Sequence, residues 1–219
     1  MPLLYNRDVK YSAIVLAGGK GERASLGFNK VFYVMKNGKT VLENACRPFL
    51  EDEDCSQVIV VVHPEELSKI FLQEKMEIAE NGKMRMDSVN NGLQKVKEDY
   101  VLVHDGARPF LEREALEKLK KAVESTGAAI LAHRVKETVK RVRDGKIEET
   151  LDRRELYLAE TPQGFLTELL KEGFERKRED YEYTDDASIM EAMGKSVYIV
   201  ENETNNEKLT TAEDFKELV

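Results

Sequence analysis

Cysteine is scarce in this chain: Cys46 and Cys55 are the only two in 219 residues. They fit neither a zinc pattern nor a disulfide framework, which points to a reducing, cytoplasmic setting and to buried or merely tolerated thiols. No apolar run approaches the roughly 18 residues that a membrane-crossing helix needs, and the opening MPLLYNRDVK is too short and too polar for a signal peptide. Positive charge is in the minority, with 34 basic against 42 acidic residues and a net charge of −8. That balance argues against a role in coating nucleic acid and requires any polyanion to be held locally. Internal repeats and low-complexity tracts are absent as well. What remains, 41% hydrophobic and 35% charged, describes a globular chain able to bury a sizeable core, read as a single domain over residues 1–219.

Short apolar runs recur at Ser12–Leu16, Gln57–Val62, Tyr100–His104, Gly127–Ala132 and Ser196–Glu201, with amphipathic stretches between most of them. This alternation predicts an α/β fold with an open, mostly parallel, Rossmann-like sheet. Thr40-Val-Leu-Glu43 and Thr210-Thr-Ala-Glu213 have the form of capping boxes, which predicts helices from about Val41 and Thr211. Met86, Val89, Leu93 and Val96 repeat at helical spacing within Met84–Lys97, just after Gly82. From His133 to Arg154 the alternation breaks. Period-two stretches flank Asp144-Gly145, a strong hairpin signal, and the segment is rich in charge and poor in large apolar groups, so it is expected to project as a β-arm at about 133–154.

Chemistry concentrates in SAIVLAGGKGERASLGFNK, from Ser12 to Lys30. A buried strand runs into Gly18, Gly19 and Gly21, where the backbone turns sharply and offers N–H groups to phosphate oxygens, while Lys20, Arg23 and Lys30 supply balancing charge. The segment reads as a triphosphate cradle. Gly19 to Ala24 also matches the GxGxxG/A dinucleotide fingerprint, but the following Ser25-Leu-Gly27-Phe-Asn29 continues as loop rather than opening a helix. The acidic ribose ligand of that fingerprint should end the second strand, whereas Glu43 falls in a predicted helix. A Walker A string, GxxxxGK[ST], does not occur. In an open α/β sheet the ligand crevice lies beyond the carboxyl ends of the strands, where the glycine loop, the Gly82 turn and His104-Asp105-Gly106 all fall.

AGGKGER…NK, GKMRMDSVNNGL, VLVHDGARPF, KETVKR, DRRELYLAETPQGF, TDDAS and NEKLTT, in that order, resemble the 2-C-methyl-D-erythritol 4-phosphate cytidylyltransferases of the non-mevalonate isoprenoid pathway, from about Ser12 to Val219. The resemblance implies a nucleotidyltransferase-type sheet and transfer of a cytidylyl group from CTP to methylerythritol phosphate, with release of pyrophosphate and the help of Mg²⁺. It also implies a homodimer in which a β-arm reaches into the partner's site. Carried over by position, Ala17, Gly18, Gly19, Gly82 and Ser88 would line the cytidine pocket. Asp105 would hold the metal, with Gly106 beside the nucleotide. Arg23, Lys30 and Lys208 would surround the phosphates, and Thr138 and Arg153 would bind the acceptor from the other subunit's arm. The chain departs from the family in having Asn29-Lys30-Val31 where Pro-Lys-Gln is common, Glu22 where another cation is common, and Gly106 where Ala is frequent.

Several of these residues have blander readings. Asp105 is also placed to cap a helix or form a turn, Ser88 to cap the helix after Gly82, and Lys208 to be a solvated edge lysine. His104 reads as a packed strand residue, because the reaction gives it no proton to move. Asp185-Asp186 reads as a helix start in preference to a second acidic site. The rival functions are a ribitol-5-phosphate cytidylyltransferase, with the same nucleotide chemistry on another polyol, and a non-catalytic nucleotide-binding protein on the same scaffold.

Overall fold

The computed structural model describes residues 9–19, 27–178 and 180–216, so Lys20, Glu22 and Arg23 lie outside the described residues. Its centre is a seven-stranded sheet built from β1 (Tyr11–Leu16), β2 (Cys55–Val62), β3 (Met76–Glu80), β4 (Tyr100–Asp105), β5 (Ala128–Arg134), β8 (Tyr157–Leu166) and β9 (Tyr198–Glu201). The order is β3-β2-β1-β4-β8-β5-β9. All neighbours are parallel except β8, which runs antiparallel to both β4 and β5. Period-two alternation divides the apolar strand residues between two layers. Ala13, Val15, Val58, Val60 and Leu102 face α1 (Val41–Leu50) and α3 (Arg113–Thr126). Ile14, Ile59, Val61, Val101 and Val103 face α2 (Arg85–Leu93), α4 (Thr167–Glu175) and α5 (Ala187–Ala192).

The strand runs expected from sequence are present, and two further strands join them. β3 is short and carries Glu77 and Glu80, which mask its apolar alternation at the sheet edge. β8 carries the polar run Glu160-Thr-Pro-Gln163 in place of an apolar one, and in the sheet Glu160, Thr161 and Gln163 find hydrogen-bond partners. Thr40 and Glu43 close the expected capping box on α1. Near the carboxyl end the expected box does not form. Asp214, not Glu213, accepts from the Thr210 and Thr211 N–H groups, and α6 (Ala212–Lys216) follows. The helix expected over Met84–Lys97 stops at Leu93.

The arm is the hairpin β6 (Lys140–Arg143) and β7 (Lys146–Thr150), a separate two-stranded sheet turning at Asp144 and Gly145 with φ of 49° and 76°. Two successive left-handed residues give the primed turn whose twist matches that of the strands. Among the described residues no helix is long and apolar enough to cross a membrane.

Candidate active site

From β1 the sheet continues in sequence order through β2 to β3 on one side, and begins again with β4 on the other. Such a switch point leaves a crevice beyond the carboxyl ends of the two strands. Leu16 and Asp105 stand side by side there in the β1–β4 register. Gly106 N–H donates to the Leu16 carbonyl at 2.9 Å. A Cβ on Gly106 would lie 2.8 Å from that same oxygen, so the glycine allows the two loops to leave the sheet in close contact.

Ala17 is buried and donates to Val61 O at 2.7 Å, with Gly18 and Gly19 following at the mouth of the loop. Asn29 closes the base of this loop. Its Nδ2 donates to Ala17 O at 2.7 Å and to Glu66 Oε2 at 2.8 Å, and it caps the short 3₁₀ helix Lys30–Phe32. The asparagine that departs from the common Pro-Lys-Gln string therefore ties the loop's end to its start. Lys30 adds to the hydrogen bonds from Thr210 and Thr211 that hold the Asp214 carboxyl below its usual range, so its charge bears on the segment carrying Lys208. Tyr33 stacks edge-on against Phe215 at 5.0 Å, packing the two segments together.

Asp105 is flanked by two cations. Lys208 Nζ lies 2.7 Å from Oδ2, and Arg85 Nη2 lies 3.5 Å from Oδ1. Burial pushes the Asp105 carboxyl upward, but Arg85 and Lys208 outweigh it and hold the group well below the usual carboxylate range. Arg85 is itself gripped by Asp186, which is 0% exposed, through Nη1–Oδ1 at 3.0 Å and Nη2–Oδ2 at 2.8 Å. The two expected helix-start aspartates have divided the work. Asp185 Oδ1 accepts from Ser188 N–H at the head of α5, while Asp186 turns to Arg85.

His104 is fully buried and hydrogen-bonded on both nitrogens. Nε2 faces Arg108 O at 3.1 Å and must donate, so Nδ1 accepts from Thr161 Oγ1 at 3.1 Å, and Thr161 in turn accepts from Asp105 N–H at 3.0 Å. Burial lowers His104 to about 4, so the ring is neutral and supports the backbone of Asp105.

Gly82 and Ser88 form the turn into α2. Ser88 Oγ accepts from Gly82 N–H at 3.0 Å and donates to Met84 O at 3.2 Å. A Cβ on Gly82 would fall 2.2 Å from Asp87 Cβ, and one on Gly18 would fall 2.5 Å from Asn81 Cβ, so this turn packs directly on the start of the glycine loop. Thr138 and Arg153 are exposed at the root of the arm, where Arg153 bonds the Lys136 carbonyl. The arm leaves the sheet from the carboxyl end of β5, the same edge as Asp105. A cleft of about 710 Å³ between α1 and the start of α3, lined by Arg47, Pro48, Phe110 and Arg113, shares no residue with the Asp105 cluster.

Residues 11–218 match the family model for 2-C-methyl-D-erythritol 4-phosphate cytidylyltransferase. The chain belongs to that family. It is 40% identical over 216 residues to the 2-C-methyl-D-erythritol 4-phosphate cytidylyltransferase of Geobacillus kaustophilus and 38% identical over 214 residues to that of Bacillus mycoides, covering 94% of each chain in both pairs. Among solved structures, the Francisella tularensis cytidylyltransferase superposes with a TM-score of 0.81 at 30% identity, over 94% of this chain and 96% of that one. The Thermus thermophilus enzyme gives 0.80 at 29%, over 95% and 97%. The fold brings Ala17, Gly18, Gly19, Gly82, Ser88, Asp105, Gly106 and Lys208 to the edge of the switch-point crevice. The sequence alone does not mark Arg85 as a site residue, and it reads Asp185-Asp186 as a helix start in preference to a second acidic site. Arg85 sits within the quoted GKMRMDSVNNGL motif, but its partner is 101 positions away.

Proposed function

We propose that this chain transfers the cytidylyl group of CTP to the phosphate of 2-C-methyl-D-erythritol 4-phosphate, releasing pyrophosphate, in the crevice at Leu16 and Asp105. Family membership supports the reaction. The observation that carries the placement is the ionised Asp105 carboxylate at a strand's carboxyl end, set between Arg85 and Lys208. The acceptor phosphate is already ionised near neutral pH, so the chain needs no general base. Its task is to offset charge as a dianion approaches the α-phosphorus and pyrophosphate leaves. Lys30 is assigned to the α-phosphate and the attacking oxygen, Arg23 to the β and γ oxygens, and Lys208 to the far side. Ala17, Gly18, Gly19, Gly82, Ser88 and Gly106 surround the cytidine.

Asp105 suits Mg²⁺ as a hard oxygen ligand that stays charged. Asp105 would be the protein's ligand to the ion, with the substrate's own phosphates supplying the others. When bound, Mg²⁺ neutralises charge on the phosphate oxygens.

A second copy of the chain completes the site in this reading, with Thr138 and Arg153 of its arm reaching the acceptor. Both arm strands are exposed throughout, Val142 is 54% and Ile147 64% exposed, and a lone two-stranded hairpin is at best marginally stable in water. The two free, buried cysteines fit a cytoplasmic enzyme. Pyrophosphate release from CTP and Mg²⁺ should be fast with methylerythritol phosphate and slow with ribitol 5-phosphate. The reverse order overturns the acceptor assignment, and CTP binding without turnover on either overturns the enzymatic reading.

A further inference from the structure

Behind the Lys208–Asp105 pair lies a second carboxylate to which the reaction assigns no task. Glu160, in β8, is only 4% exposed. A buried carboxylate costs several kcal/mol unless hydrogen bonds replace its water. Here Oε2 accepts from Asn202 Nδ2 and Asn206 Nδ2, both at 2.9 Å, and Oε1 lies 2.6 Å from His133 Nδ1 at the end of β5. Asn202 and Asn206 belong to the segment that leaves β9 and carries Lys208.

That segment is pinned at few points. Asn202 N–H donates to Ala132 O and Leu209 N–H to Ala107 O. Between them, Asn206 Nδ2 bonds Glu160 and Thr161 O at 2.8 Å, and Asn206 O accepts from Arg108 Nη1 at 2.7 Å. Among the described residues Asn206 Oδ1 is buried without a hydrogen-bond partner, so the Nδ2 bonds orient that side chain. Lys208 stands two positions on, and Thr161, the neighbour of Glu160, accepts from the Asp105 N–H. One carboxylate thus fixes both the strand that supports Asp105 and the segment that delivers Lys208.

We infer that Glu160 is a positioning residue for the transfer: by holding Asn202 and Asn206 it sets the 202–209 segment so that Lys208 meets Asp105. The inference rests on the proposed phosphate role of Lys208. Glutamine at position 160 should preserve the arrangement, because its Oε1 can accept from both asparagines while its Nε2 can donate to His133 Nδ1.

The test compares the full chain with Glu160→Ala, Glu160→Gln and Asn206→Ala, each first checked for a cooperative thermal transition. Acetylation of Lys208 by acetic anhydride, followed by mass spectrometry, reports its pairing with Asp105. Steady-state kinetics reports turnover. Glu160→Ala should raise Lys208 labelling and lower kcat by about ten- to a hundredfold each, as expected for lost hydrogen bonds to a buried charge. The KM for methylerythritol phosphate should barely move, and Glu160→Gln should restore both. Unchanged labelling in folded Glu160→Ala overturns the inference; if that variant does not fold, unchanged labelling in Asn206→Ala does so. Raised labelling with normal turnover upholds the positioning by Glu160 and overturns the phosphate role of Lys208.

Discussion

At the scale of single residues, Arg85 shows how a buried charge is tolerated only in company. Its fork satisfies both oxygens of Asp186 and reaches on to Asp105, so removing it strands a carboxylate away from water. Breaking such a pair by truncating one partner costs on the order of 3 kcal/mol, whereas replacing both with apolar groups is often neutral. Arg85→Ala should therefore lower the thermal midpoint clearly, and Arg85→Met with Asp186→Leu should recover it without recovering turnover; full recovery of turnover would remove Arg85 from the site. Lys30→Ala should leave folding nearly intact and cut kcat by about 10²–10³, the usual loss for one well-placed stabilising donor. Near-normal kcat would withdraw the role given to Lys30. Lys30 and Asp105 were legible because a glycine loop and a strand end give each a chemical reason, whereas Lys208 was legible only through the family resemblance. Arg85 and Asp186 were not, since neither string says that an ion pair 101 residues apart will close.

Among elements, the strands whose apolar runs are continuous identify themselves, and β8 does not. Its polar residues become strand residues only because Asp105, Asp185, Asn202 and Asn206 supply their partners. The arm was legible from Asp144-Gly145, because two left-handed residues between alternating stretches allow little else. Its function is not contained in its own fold. Light scattering should give a dimer for the unaltered chain, and Val142→Lys with Ile147→Lys should shift it toward monomer and lower turnover while each protomer keeps its helical circular dichroism. A monomeric, active native chain would refute the completed-site reading.

For the molecule as a whole, the edge opposite the crevice is stitched by Asp52, which accepts from Tyr11 and from Lys120, while Lys120 also bonds Asp54. Burial raises the Asp52 carboxyl, yet the Lys120, Asp54 and Tyr11 hydrogen bonds prevail and hold it below its usual range. A group depressed in the folded state stabilises above its unfolded pKa and loses that contribution as protons bind below it. The Asp52 contribution should thus be level from pH 8 to about 5 and be lost below about 4, near the unfolded carboxylate value. Total stability already starts to fall below about 6.5, where the unfolded chain protonates His104 and the folded one keeps it neutral. Asp52→Asn should be less stable than the native chain at pH 7, with the gap closing in acid; a gap independent of pH would contradict the assignment. Burial pushes Cys46 up to about 12 and Cys55 up to about 11. Neither should react with a thiol reagent at pH 8 until the chain unfolds, and rapid labelling of the native protein would show that the core opens locally.

The sequence by itself determined the alternating layers, the glycine loop, the turn of the arm and the family, because each depends on local spacing or on strings read in order. Tertiary structure alone decided that β8 runs antiparallel through the sheet, that Asn29 ties the end of the glycine loop to its start, and that Lys208 and an Arg85 held by Asp186 converge on Asp105. The physical reason is desolvation. A charged or amide side chain is indifferent to distant partners in water, and only burial makes their meeting obligatory.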